Sequence, residues 1–326
     1  MQDQFGRTIE YLRLSVTDRC NLRCRYCMPE EGVADLAHSD VLRYEEMLRV
    51  VAAACRLGIR KVRVTGGEPL VRRDIVGFIG QLAALPEKPE ITLTTNGLLL
   101  AELAEDLKAA GLSRVNISLD TLHPDRFKEL TRRDGLEKVL AGIEAAEKAG
   151  MLPIKLNVIP FADFNDDEIV DFARLTLKHP WDVRFIEFMP ISSDLDYASR
   201  DGLSMGAVEE RLRALGELEA LPYQAASGPA HMYRLPNAKG RIGLIPSVSG
   251  HFCGDCNRLR VMADGRVRGC LFDNEETDLK TALRDGSDDS ALEQLLLAAA
   301  CAKPEKHQIH GKDFTTPNRR MHGIGG

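Results

Sequence analysis

The 326-residue sequence contains no apolar run near the ~18 residues of a membrane span, and its polar start, Met1-Gln2-Asp3-Gln4, lacks the apolar region of a signal peptide. Both absences argue for a cytoplasmic protein with no membrane partner. Positive charge is not in excess either: 43 Lys and Arg stand against 49 Asp and Glu, a formal net charge of −6. No global basic field is available for wrapping nucleic acid, so any anion site must be local. No short internal repeat stands out beyond a strand–helix rhythm.

What is present suffices for a sizeable core. Hydrophobic residues make up 44% of the chain, ordinary for a soluble globular protein, and the length allows one large or two ordinary domains. The chain is far longer than the small secreted domains that need disulfide staples, although it carries eight cysteines. Six of them form two triplets: Cys20, Cys24 and Cys27, then Cys253, Cys256 and Cys270. Cys55 and Cys301 lie in Ala- and Leu-rich helical stretches and are expected in the core.

From residue 11 to about 188, short β-branched runs alternate with helical patterns. Strands are expected over 12–17, 61–65, 91–95, 114–120, 154–159 and 182–188, and helices over 44–57, 73–85, 101–110, 125–149 and 166–177. Six β/α units are the sequence form of a parallel α/β fold. The strands alternate, which separates their residues onto two faces. One face is apolar, with Leu12, Leu14, Val62, Val64, Leu93, Ile117 and Leu156. The other carries Arg13, Ser15, Thr17, Lys61, Arg63, Thr65, Thr92, Thr94, Asn96, Asn116, Ser118, Asp120, Lys155, Asn157 and Arg184. A closed eight-unit barrel fills its interior with branched apolar side chains. A six-unit open barrel with a polar, basic, anion-binding cavity fits this pattern better. The barrel is expected over 1–220. A Pro/Ala/Ser/Gly connector at 222–229 leads into a smaller α+β domain over 221–326, built from short strands near the second triplet and a helix over 291–300.

The first triplet has the order C-x3-C-x2-C, which lets one loop hold three corners of a cubane cluster. Iron–sulfur clusters are normally held by four thiolates, so three leave one iron open to a small molecule, as in catalytic metal sites. A structural zinc loop is the alternative, yet zinc sites commonly use two pairs of ligands that close all four positions. The second triplet, C-x2-C-x13-C, again offers three thiolates. It suits a second open cluster, or a zinc site completed by His251. In Cys256-Asn257-Arg258-Leu259-Arg260 two guanidiniums sit at alternate strand positions, able to grip a phosphate or a base edge. After the second strand, Gly66-Gly67-Glu68-Pro69 lets a ligand approach the backbone and offers a carboxylate to an ammonium group.

The frame Thr17-Asp18-Arg19-Cys20-Asn21-Leu22-Arg23-Cys24-Arg25-Tyr26-Cys27-Met28-Pro29 resembles the radical S-adenosylmethionine (SAM) enzymes, whose open iron takes the amino and carboxylate groups of SAM. Nearly the whole chain resembles one family among them, the GTP 3′,8-cyclases of molybdenum cofactor biosynthesis. The likeness includes Leu14-Ser15-Val16-Thr17, Thr94-Thr95-Asn96-Gly97, Arg184-Phe185-Ile186-Glu187-Phe188-Met189, the second triplet and the terminal Gly325-Gly326. It implies a partial TIM barrel of radical SAM type. It also implies two [4Fe-4S] clusters, one on each triplet, with SAM on the first. Tyr26, Gly67, Glu68, Ser118 and Met189 match SAM-contacting positions; Arg13, Arg63, Thr94, Lys155 and Arg258 through Leu259 to Arg260 match GTP-binding ones. Arg258, Arg260, Gly325 and Gly326 match catalytic positions, the two glycines belonging to a tail that reaches the active site; without the resemblance they read as a frayed end.

The implied reaction starts with an electron entering at the first cluster, from an external flavodoxin-like donor. SAM is cleaved to a 5′-deoxyadenosyl radical that takes the C3′ hydrogen of GTP, and C3′ then bonds to C8. Reduction of the guanine-centred radical closes the cycle, with the second cluster or its arginines as candidates to assist. The product passes to a downstream pyranopterin-forming enzyme, and the protein is a monomer or homodimer. Two other readings share some of these features. A peptide-modifying radical SAM enzyme has little need for Arg13, Arg63, Lys155 and Arg184, and a zinc-containing RNA-binding module conflicts with the acidic net charge.

Overall fold

Alternating β-branched runs form strands where neighbours can cover their apolar face, and a computed structural model shows that arrangement. It describes residues 1–191, 202–223, 228–250, 252–307, 309 and 316–325. Six parallel strands come first: β1 (Tyr11–Ser15), β2 (Lys61–Thr65), β3 (Glu90–Thr95), β4 (Arg114–Ser118), β5 (Lys155–Val158) and β6 (Asp182–Ile186). They are followed by β7 (Glu219–Ala220), β8 (His231–Arg234), β9 (Arg241–Ile245), β10 (Arg258–Val261), β11 (Arg266–Arg268) and β12 (Thr277–Asp278). These twelve strands make one sheet in the order β12-β11-β10-β1-β2-β3-β4-β5-β6-β9-β8-β7. The C-terminal strands therefore extend the six-stranded barrel at both edges: β10 pairs parallel with β1, and β9 parallel with β6. The sheet ends at β12 and β7 and leaves the barrel open.

Helices cover the apolar face: α1 (Tyr44–Arg56), α2 (Ile75–Ala83), α3 (Leu100–Ala109), α4 (Pro124–Thr131), α5 (Leu136–Lys148) and α6 (Ile169–Lys178). Further along are α7 (Met205–Leu212), α8 (Lys280–Arg284), α9 (Asp289–Cys301) and α10 (Met321–Ile324). Leu12, Leu14, Val62, Val64, Leu93, Ile117 and Leu156 are fully buried between sheet and helices, each worth roughly 1.5–3 kcal/mol relative to exposure. Among the described residues no helix is long and apolar enough to cross a membrane.

Two expectations need correction. The single helix expected over 125–149 is two, because Arg132 adopts a left-handed φ of 57° and Gly135 a φ of 140°. The break lets the Arg132 guanidinium donate to the carbonyls of Arg23 and Met28, each at 3.0 Å, so it anchors the first cysteine loop. Cys55 is buried as expected, but Cys301 is exposed, as the last residue of α9.

Candidate active site

The polar faces of the strands curve around a cavity of about 480 Å3. Strand polarity decides what stands at each end. The first triplet follows β1, at the C-terminal ends of the parallel strands. Cys256 precedes β10, which runs with β1, and Cys270 follows the antiparallel β11, so the second triplet stands at the N-terminal ends. Five residues at ~3.3 Å each set the two ends roughly 16 Å apart. All six cysteines are free thiols and all line the same cavity.

At the first end the loop is built by backbone bonds. Arg23 and Arg25 N–H donate to the carbonyls of Thr131 and Leu130 at the end of α4, and Cys27 N–H donates to Cys24 O. Gly67 N–H donates to Thr17 O and Glu68 N–H to Arg19 O, both at 2.7 Å. This close contact explains the glycines: a Cβ on Gly67 would lie 2.4 Å from Arg19 O, and one on Gly66 2.7 Å from Thr17 O. On the Cβ side the cysteine loop's own backbone fills the space, while Gly66 and Gly67 still line the cavity. Burial pushes the Cys20 thiol up to about 11 and Cys27 to about 12, and burial with the neighbouring sulfurs raises Cys24 as well.

Two carboxylates share this end. Glu68 is 1% exposed and accepts from Leu70 N–H, Thr95 Oγ1 and Asn96 N–H at 2.7–3.0 Å. Burial outweighs these bonds and raises its carboxyl to about 7. Asp120 takes the Tyr26 hydroxyl at 2.8 Å and Ile159 N–H, and burial lifts it to about 6. Tyr26 continues into an aromatic shelf of Phe161 and Phe188, with centroids 5.9 and 5.3 Å apart in succession. Two buried carboxyl groups held between charge states, beside an apolar shelf, suit a ligand that brings cationic groups and an aromatic ring.

The other end is cationic. Register places Arg260, Arg13 and Arg63 side by side on β10, β1 and β2, and Arg258, Tyr11 and Lys61 in the row below. Like charges directly opposite each other on a sheet repel. Burial, reinforced by neighbouring cations, depresses Arg63, Lys155 (to about 6) and Arg260. Burial also brings Arg13 and Arg184 down to about 10. Buried polar atoms there lack hydrogen-bond partners: Tyr11 Oη, Arg13 Nε, Thr94 Oγ1 and Arg184 Nε. Unpartnered donors in a cavity of mutually repelling cations suit a polyanion. At the second triplet, burial raises the Cys256 thiol, but Arg258 and Lys303 overcome it and lower the thiol to about 6. Arg258 Nη2 lies 3.7 Å from the sulfur.

The tail is anchored rather than frayed. Arg319 pairs with Asp264 and Glu276, Met321 lines the cavity, and Arg260 Nη1 donates to Gly325 O at 3.1 Å. Gly325 has a φ of +77°, and a Cβ there would lie 2.7 Å from Thr65 Oγ1 and 3.1 Å from Ser15 Cβ. The tail thus reaches the polar face of β1 and β2. Gly326 and His251 lie outside the described residues, as does part of the connector.

Of the residues expected at the site, Tyr26, Gly67, Glu68, Ser118, Met189, Arg13, Arg63, Thr94, Arg258 and Arg260 line the cavity with the six cysteines. Lys155 is buried behind the lining. The Leu259 side chain sits in the core on the opposite face, leaving only its backbone for a ligand. Sequence reasoning passed over Tyr11, Arg132 and Glu187. Glu187 accepts from Val248, Ser249 and Met205 N–H, fastening the end of β6 to the C-terminal segments. Only Tyr11 gave a signal, as the aromatic next to the polar run of β1.

The chain matches the family model for the radical SAM superfamily over residues 14–176 and that for Molybdenum Cofactor Synthesis C over residues 181–309. It is similar to the GTP 3′,8-cyclase of Syntrophomonas wolfei subsp. wolfei, with 47% identity covering 100% of both chains. The GTP 3′,8-cyclase of Geobacter sulfurreducens is 50% identical, over 94% of this chain and 93% of that relative. Among solved structures, Streptococcus suis SuiB bound to S-adenosylmethionine is 14% identical, with a TM-score of 0.59 over 90% of this chain and 68% of that one. That likeness speaks for the fold alone.

Proposed function

The chain belongs to the GTP 3′,8-cyclase family of radical SAM enzymes, and from that premise we propose that it converts GTP to (8S)-3′,8-cyclo-7,8-dihydroguanosine 5′-triphosphate, the first step of molybdenum cofactor biosynthesis. The observation that carries this reading is the polarity of one cavity. Its carboxylate-bearing end adjoins the first triplet and its cationic end adjoins the second. A cationic cofactor and an anionic substrate are thereby held in opposite halves of one space.

Cys20, Cys24 and Cys27 hold the first [4Fe-4S] cluster, and Cys253, Cys256 and Cys270 the second. When bound, the first cluster and SAM supply one-electron reductive cleavage and with it a hydrogen-abstracting radical. Glu68 accepts from the ammonium of SAM, offsetting the burial that raises its own carboxyl. Tyr26, Gly67, Ser118 and Met189 complete that half. Arg13, Arg63, Thr94, Lys155 and Arg184 hold the triphosphate, which gives acceptors to Arg13 Nε, Thr94 Oγ1 and Arg184 Nε, atoms that otherwise lack partners. Arg258, the Leu259 backbone and Arg260 face the guanosine side, and Arg260 holds Gly325 of the tail at the cavity. The assignment divides the chain near residue 220 into barrel and C-terminal domain. It places the enzyme in the cytoplasm as a monomer or homodimer, fed by an external one-electron donor and supplying a pyranopterin-forming enzyme.

The test is anaerobic. Protein reconstituted with iron and sulfide receives SAM and dithionite, and 5′-deoxyadenosine is quantified with and without GTP. GTP-dependent 5′-deoxyadenosine with a cyclised guanosine triphosphate supports the cyclase. GTP-independent cleavage alone would reopen the substrate, and no cleavage by iron-loaded protein would overturn the reading.

A further inference from the structure

Tyr11 opens β1 at the cationic end of the cavity, one row from Arg13 and between Arg258 and Lys61 in the strand register. It is 8% exposed, and its hydroxyl is buried with no hydrogen-bond partner. The Arg13 guanidinium lies beside that hydroxyl and can only donate towards its oxygen, so the hydroxyl's own proton is left without an acceptor. Lys61 Nζ and the Arg63 guanidinium stand 5.5 and 5.2 Å from the ring centroid, so cations approach the ring as well as the hydroxyl. A buried hydroxyl whose proton lacks an acceptor is unfavourable, and the charged side chains around this one, Arg13, Arg63, Lys61 and Arg258, are all donors. A ligand oxygen in this space would give the hydroxyl an acceptor.

We propose that Tyr11 is a phosphate-binding residue: its hydroxyl donates to an oxygen of the polyphosphate that the surrounding cations hold, and so contributes to selection of a triphosphate over a monophosphate. The inference rests on the reading of GTP as substrate and adds a residue to that site. It also explains why an aromatic stands at the start of a strand whose next inward positions are Arg13 and Ser15. Burial pushes the phenol up, but Arg63, Arg13, Lys61 and Arg258 outweigh it and draw the group below its usual value. That makes the O–H a strong donor, and hydrogen bonds to charged acceptors are the stronger class. Phe at this position would keep the ring and its cation contacts while removing only the oxygen.

Full-length protein reconstituted with both clusters, parent and Y11F, is titrated calorimetrically with GTP, ATP, GMP and inorganic tripolyphosphate at fixed ionic strength. The expected result is that Y11F binds GTP and tripolyphosphate about tenfold more weakly, while GMP affinity and the thermal midpoint stay unchanged. Equal GTP and tripolyphosphate affinities in parent and Y11F would overturn the proposal. So would an equal loss for GMP, or failure of the parent to bind tripolyphosphate. If the parent binds ATP as tightly as GTP while Y11F still weakens both, the phosphate role of Tyr11 stands and the guanine substrate falls.

Discussion

The two cysteine triplets present the same donors in different electrostatic settings, a contrast carried by Cys256, since burial raises Cys270 as it raises the first triplet. Around Cys20, Cys24 and Cys27 burial dominates and keeps the thiols protonated; the carboxyls of Glu68 and Asp120 stand nearby, and Arg23 and Arg320 draw Cys20 and Cys27 down by less than burial raises them. Around Cys256, Arg258 and Lys303 reverse the effect of burial and draw the thiol to about 6. Lys303 donates to Arg258 O and Gly269 O, so the same buried cation also ties together the segments that carry Cys256 and Cys270. Arg7 grips Cys253 O at 2.8 Å from the other side. The donor set says where metal goes; its surroundings decide which charge each half of the cavity accepts.

The comparison breaks most sharply at the ligands. C24S should reduce 5′-deoxyadenosine formation to background. C256S should lose the cyclised product yet keep slow, GTP-independent SAM cleavage, and loss of cleavage in both variants would mean that the two ends do not act separately. In metal-free protein at pH 7, iodoacetamide should label Cys256 roughly 30-fold or more faster than Cys24 or Cys27, because only its thiolate is well populated; peptide mass mapping over time would read this. E68Q should raise the KM for SAM roughly tenfold to thirtyfold by removing a buried carboxylate partner, with the KM for GTP unchanged. R63Q should do the reverse, weakening GTP binding about tenfold and reducing its salt dependence, with SAM unaffected.

The smallest effect concerns protons. Lys155 titrates near 6 in the free protein, so it is charged at pH 5 and mostly neutral at pH 8. An arriving triphosphate favours the ammonium, and binding should take up almost no proton at pH 5 but up to about one at pH 8. Calorimetry in buffers of different ionisation enthalpy would detect this uptake, and K155M should remove its pH dependence. The folded-state value is depressed, so this group opposes folding fully below pH 6. The penalty fades as pH rises towards the ordinary lysine range.

Alternation alone separated the polar face from the apolar one, because a strand's side-chain period does not depend on its neighbours. Arg13, Arg63, Thr94 and Ser118 were legible for that reason, and the cysteines by their spacing. Arg132 was not, since only the tertiary contact with Arg23 and Met28 shows why a left-handed residue interrupts a helical pattern. Gly66 and Gly67 were legible as requirements for close approach, but the approaching group is the backbone of the cysteine loop.

What the sequence determined by itself was local: strand periodicity, the cysteine spacings, and a resemblance carried by contiguous motifs. Tertiary structure decided what register and strand direction control. It set Arg260, Arg13 and Arg63 in one row, brought the C-terminal strands to both edges of the barrel and sent the two triplets to opposite ends of one cavity. Those relations join residues up to about 250 positions apart, and a local pattern does not specify which strands become neighbours, because that choice depends on burying all the apolar faces at once.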